Sequence, residues 1–145
     1  MKVAQLLINY LFRFDSITIV TGSSYPYINE LNEFLNDHTG SFVHLHALNE
    51  TEMSELFNDT EYAIVPSSGV LQEALACRCK VISGYYTEHQ KKPYLSYLSE
   101  NLIVGVDDFS SDKITFGLNS LNFSSSRNVF DKNIPTRMID LFNQL

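Results

Sequence analysis

The run Ile64-Val65-Pro66-Ser67-Ser68-Gly69-Val70-Leu71-Gln72-Glu73-Ala74-Leu75 carries residue types that bind an anion and a diol side by side. It reads as a buried strand, a small polar turn, and a helix with Glu73 about one turn inside. Backbone N–H groups at a helix start are unpaired and partially positive, so such a turn holds an anion such as a diphosphate. A carboxylate one turn further on accepts hydrogen bonds from a vicinal diol. Diphosphate beside diol is the chemistry of a nucleotide sugar. A plainer reading stands next to it: Ser67 and Ser68 as helix caps worth about 1 kcal/mol each, and Glu73 as a solvated carboxylate. Val70 and Leu71 occupy the places where a capping box needs Glu or Gln, so no box accounts for Glu73.

Other reactive pairs say less. His44 and His46 share one face of a short strand without a third ligand at suitable spacing, so strand-end surface or cleft lining is expected, not metal. Glu88 and His89 are neighbours that could exchange a proton, and Lys91 and Lys92 fit phosphate contacts and solvated charge equally well. Cys77 and Cys79, the only cysteines, point in different directions and suit neither a disulfide nor zinc. They are expected to be reduced structural thiols of a cytoplasmic protein. No catalytic residue, metal or cofactor is assigned.

The elements that must position these residues alternate helix and strand. Apolar residues at helical spacing mark 2–13, and β-branched Ser16–Thr21 is a strand. Gly22-Ser23-Ser24-Tyr25-Pro26 is a turn, with Pro26 suited to the first turn of a helix carrying Ile28, Leu31, Phe34 and Leu35. Phe42–His46 is a strand, and a helix starts near Asn49 with Glu52 three residues on as a capping-box variant. Tyr62–Val65, Val81–Ser83 and Leu102–Val104 are further strands, and Gly84–His89 is a loop. Helices are expected around Tyr94–Leu98, over Lys113–Leu121, and from Pro135 through Phe142.

Strands separated by helices mean right-handed crossovers and a parallel sheet, with ligands at the strands' carboxyl ends. The turns after Val20, His46, Val65 and Ser83 should gather on one edge. A doubly wound sheet normally opens on a strand and a glycine-rich loop; here the first element is a helix, so something is expected to be missing in front of Met1.

The 145 residues suffice for one domain, with 44% hydrophobic and 19% charged residues as in an ordinary globular protein. Ten basic residues against seventeen acidic ones, net charge −7, supply no extended nucleic-acid footprint. No apolar run is long enough for a membrane span, and Asn9 and Arg13 argue against a signal peptide. The phosphate-binding patterns G-x-x-x-x-G-K-[ST] and G-x-G-x-x-G are absent, as is a G-x-S-x-G nucleophile elbow. Thr21-Gly22-Ser23-Ser24 replaces the acidic residues that a response regulator needs at that strand end.

Ser68-Gly69, three residues, Glu73-Ala74, then Val81-Ile82 and a loop ending in Gln90 resemble the donor-binding region of GT-B-fold nucleotide-sugar enzymes. Ile19-Val20-Thr21-Gly22-Ser23-Ser24 with Pro26, and Arg137-Met138-Ile139, are similar to the pseudaminic-acid-pathway UDP-sugar hydrolases and their spore coat polysaccharide relatives. The N-acetylglucosaminyltransferase that forms lipid II is a more distant likeness. The resemblance covers roughly residues 5–145. It implies a three-layer α/β/α parallel sheet, the Rossmann-like carboxyl-terminal half of a GT-B fold. It further implies that Ser67, Ser68 and Gly69 cradle the diphosphate and Glu73 takes the ribose hydroxyls. Gln90 would contact sugar or phosphates, Gly22 and Ser23 would line the cleft, and Ala47 and Leu48 would meet the uracil. His89 stands where relatives often carry Asn, and Arg78-Cys79 replaces a usual glycine, so the helix must end without a glycine cap.

The function expected from this is binding of the UDP part of a nucleotide sugar, within one half of a UDP-sugar hydrolase or glycosyltransferase of surface-glycan synthesis. The catalytic base of such enzymes comes from the amino-terminal half, so this chain alone should catalyse nothing and bind UDP no better than about 0.1–1 mM. Two alternatives remain: a donor-binding subunit of a split glycosyltransferase that needs a partner chain, and a non-catalytic α/β interaction module.

Overall fold

Short β-branched runs separated by amphipathic segments fold into parallel strand–helix units. The computed structural model describes residues 2–121. In chain order these form α1 (Lys2–Leu7), a 3-10 helix (Ile8–Arg13), β1 (Thr18–Thr21), α2 (Ile28–Asp37), β2 (Val43–His46) and α3 (Glu50–Asn58). Then follow β3 (Tyr62–Pro66), α4 (Gly69–Ala76), β4 (Lys80–Gly84), α5 (Glu88–Ser99), β5 (Ile103–Gly105) and α6 (Ser111–Ser120). The expected helix from Pro135, with Arg137, Met138 and Ile139, lies outside the described residues.

The strands form two parallel sheets, β1-β2 and β3-β4-β5. Thr21 is level with His46, Pro66 with Gly84, and Ser83 with Gly105, so strand ends line up within each sheet. The fold is α/β with parallel strands, as expected.

Alternation along the strands splits the three-stranded sheet's side chains between two cores. Ala63, Val65 and Val81 join Phe57 of α3, Leu71 and Leu75 of α4, and Tyr94 of α5. Ile64 and Ile82 instead join Leu7 of α1 and Ile114 and Leu118 of α6. Helices therefore cover both faces, the condition under which parallel strands read as continuous apolar runs. A third cluster packs Ala4 of α1 on Leu31 and Phe34 of α2, next to Ile19 of β1.

Local chemistry moves several boundaries. The expected helix over 2–13 tightens after Leu7, yet Val3, Leu6 and Tyr10 keep one apolar face against the same core. Pro26 lies outside α2, whose N-cap is Tyr27, because the Tyr25 N–H first closes a turn onto the Gly22 carbonyl at 3.1 Å. Asn49 and Glu52 form the full capping box of α3, with bonds of 3.0 and 2.8 Å. Helix α5 begins at Glu88, shortening the expected Gly84–His89 loop: the Gln90 amide bonds the Thr87 carbonyl and its carboxamide accepts from the Tyr86 N–H.

Helix α4 ends without glycine, as expected. Arg78 takes the left-handed position, φ 68, while the Cys79 and Arg78 amides bond the Ala74 and Leu75 carbonyls at 3.0 Å each. Helix α5 ends the same way on Asn101, φ 55, a residue that tolerates this backbone better than arginine does.

Candidate functional site

Strand ends and helix starts meet where the expected anion site lies. Ser67 follows β3 and is 2% exposed. Its N–H donates to the Gly84 carbonyl at 2.8 Å and its hydroxyl sits 3.2 Å from that of Ser83. Ser67 therefore ties the end of β3 to β4, and its amide is engaged within the protein. Ser68 is the extended N-cap residue of α4 (φ −137, ψ −167), its side chain makes no capping bond, and its N–H turns back to the Pro66 carbonyl at 2.8 Å.

In this turn the amides that donate to no group among the described residues are those of Gly69 and Val70, the first two of α4. A Cβ built on Gly69 would meet nothing within 4 Å, so the space beside it is open. Glu73 is exposed on the same helix, and no ion pair engages it among the described residues.

The remaining expected contacts are spread along the strand ends. Gly22 and Ser23 are exposed in the turn after β1, and Gly22 also has open space where a Cβ would stand. Ala47 has φ 51, its N–H donates to the Thr21 carbonyl at 2.8 Å, and Leu48 beside it is half-buried. His89 is exposed at the start of α5. Gln90 spends its carboxamide oxygen on Tyr86, and Glu88 faces Lys91 at 3.7 Å rather than His89. A cavity of about 810 Å³ opens between β1 and β3; Gly22, Pro66 and Val70 line it, whereas Ser67, Ser68, Gly69, Glu73 and Gln90 do not.

Two polar clusters carry no sequence motif. The Thr21 hydroxyl lies 2.9 Å from both His44 Nε2 and His46 Nδ1. Thr21 is level with His46 on the neighbouring strand, which is the signal that could have joined the three. One hydroxyl has one hydrogen, so at least one imidazole must donate to it. Among the described residues no group of three or more His, Cys, Asp or Glu is placed to hold a metal ion.

The second cluster lies past the end of β5. Asp107, held at φ 44, accepts from the Tyr94 hydroxyl at 2.7 Å and from Lys113 at 2.7 Å. The Lys113 ammonium, then the Tyr94 hydroxyl, hold its carboxyl below the usual range. Burial, then the bond to Asp107, pushes the Tyr94 phenol up to about 12. These bonds tie α5 and α6 to the end of β5, so the cluster braces the strand edge.

Among the described residues no helix is long and apolar enough to cross a membrane. No protein-family model matches the chain, and no curated protein matches it in sequence.

Proposed function

We propose that this chain binds the diphosphate of a nucleotide sugar, UDP being the nucleotide, at the amino end of α4. It would form the Rossmann-like, three-layer carboxyl-terminal half of a GT-B-type hydrolase or glycosyltransferase. The observation that carries the reading is the open pair of amides at Gly69 and Val70, following a strand end beside the glycine turn at 22–23. Two unpaired amides and a helix dipole favour an anion without any basic side chain, which suits a chain of net charge −7. Glu73, unengaged one turn further along, is free to accept ribose hydroxyls. Ser67 supports the turn from below, and Ser68 keeps an uncommitted hydroxyl at its rim.

The alternative of a non-catalytic interaction module draws support from Gln90, whose carboxamide already serves the protein's own loop. A chemical-shift titration with UDP, UDP-GlcNAc and CMP separates the two readings. Shifts centred on 68–73 and 22–23, stronger for the uridine nucleotides and lost in Glu73→Ala, are expected. Absence of shifts with every nucleotide at millimolar concentration leaves the interaction module.

A further inference from the structure

The two sheets face one another across the cavity of about 810 Å³, and both of its side walls are strand edges. The Ile17 and Thr21 carbonyls accept from Val43 and Ala47, so the odd residues of β1 bond towards β2. By the alternation of a parallel strand, the N–H and C=O groups of Thr18 and Val20 point the other way, to the cavity. On the opposite wall the Glu61 carbonyl accepts from Lys80 and the Ser67 amide donates to Gly84, so odd residues of β3 bond towards β4. The N–H and C=O groups of Tyr62 and Ile64 therefore point to the same cavity. Its other two walls are apolar: Ala4 and Leu7 of α1 on one side, Met53 and Phe57 of α3 on the other.

Backbone hydrogen-bonding groups on two sides and apolar side chains on the other two are the surroundings of a central strand in a parallel sheet. Size agrees: five residues of strand, from the usual rise, strand spacing and layer thickness, take roughly 790 Å³. The connections agree too. Each of β1 to β5 is followed in the chain by a helix, and α1 alone has no strand before it among the described residues. Yet α1 reaches into both cores that flank the gap, through Ala4 and Leu7. With a strand in the gap, the two sheets become one, in the order β2, β1, inserted strand, β3, β4, β5. That is the doubly wound arrangement, with its winding reversing at the inserted strand.

We propose that this slot receives an extended run of about five apolar, β-branched residues from a polypeptide segment outside residues 1–145. The segment runs parallel to β1 and β3 and bonds to both. This holds whether or not α4 binds a nucleotide. Pairing needs the slot-facing amides, and β3 already carries a proline, Pro66, at a slot-facing position, so the bonds concentrate on Tyr62 and Ile64.

The test uses the 145-residue chain with the synthetic peptide acetyl-KKVIVIVKK-amide and amide hydrogen exchange followed by NMR. The peptide should raise protection of the Thr18, Val20, Tyr62 and Ile64 amides by at least ~10-fold. Val20→Pro removes a slot-facing donor from an edge strand, keeps the ladder to β2, and should abolish that gain; Ile64→Pro does the same from the other wall should Val20→Pro not fold. An unchanged exchange pattern with peptide overturns the proposal. So does undiminished peptide binding in both proline variants. Amides already protected in the chain alone and freed by removing residues 122–145 would place the chain's own end in the slot, and protection that follows dimer formation would place a second copy there. Either result overturns it as well.

Discussion

The Tyr94 hydroxyl donates to Asp107 Oδ1 at 2.7 Å and accepts from the Asp107 N–H at 3.2 Å, closing a two-bond ring between α5 and the end of β5. Tyr94 is 1% exposed, so its ring is core and its oxygen alone reaches the polar cluster. Tyr94→Phe keeps the packing and leaves the Asp107 amide without its acceptor. A loss of about 1–3 kcal/mol in unfolding free energy is expected, read by denaturant titration. The phenol's raised value fixes the sign at high pH: stability is complete below the ordinary value of 10.0 and is lost as pH climbs towards about 12. Asp107 acts oppositely. Its lowered carboxyl adds stability above the ordinary value of 3.8, lost as pH falls through the folded-state value. Melting curves of Tyr94→Phe should therefore lose part of the alkaline slope that the parent chain shows, and an unchanged slope would remove Tyr94 from its cause.

Glycines at the same strand edge should divide sharply on substitution. A Cβ on Gly84 would come within 2.9 Å of the Phe109 ring and closer still to the Asp107 carbonyl oxygen, a backbone atom that cannot swing aside. Gly84→Ala should cost more than about 3 kcal/mol or prevent folding, since β4 is the buried central strand. Gly69→Ala meets open space at the start of α4 and should leave the melting temperature unchanged or raise it slightly. If a diphosphate sits against the Gly69 amide, the added methyl weakens nucleotide binding in a fully folded protein. Thermal melts together with the UDP titration separate the two effects.

How legible all this is from sequence depends on range. Tyr62–Pro66, Val43–His46 and the Asn49–Glu52 box are readable because β-branching, alternation and capping act over a few residues. The early start of α5 is not, since the Gln90 side chain bonds a backbone amide four residues back, and Gln at that place reads equally as a ligand contact. The same ambiguity hides Ser67, whose engagement depends on Ser83 and Gly84 across a strand pair. The Tyr94–Asp107–Lys113 cluster joins residues that no motif links. The separation of β1 from β3 around the gap depends on how two sheets pack across it, which no local pattern encodes.

The two cysteines test how far the core is closed around α4. Both are free thiols: Cys77 is half-buried, and Cys79 is buried with its sulfur 3.4 Å from the Phe57 carbonyl and 3.3 Å from that of Thr60. Burial pushes the Cys79 thiol up to about 11, and repulsion from Cys77 adds to this. At pH 8 only about one thousandth of such a thiol is thiolate, the form that attacks a disulfide reagent. Cys77 should therefore be the first to react with an aromatic disulfide under native conditions, and Cys79 only as the protein unfolds. Labelling followed by peptide mapping gives the order directly. Increasing denaturant should bring Cys79 labelling in along the same curve as loss of helical circular dichroism. Equal labelling of both thiols in the native state would mean that the contact between Cys79, just past α4, and the Phe57 and Thr60 carbonyls opens on its own, well below the free energy of global unfolding.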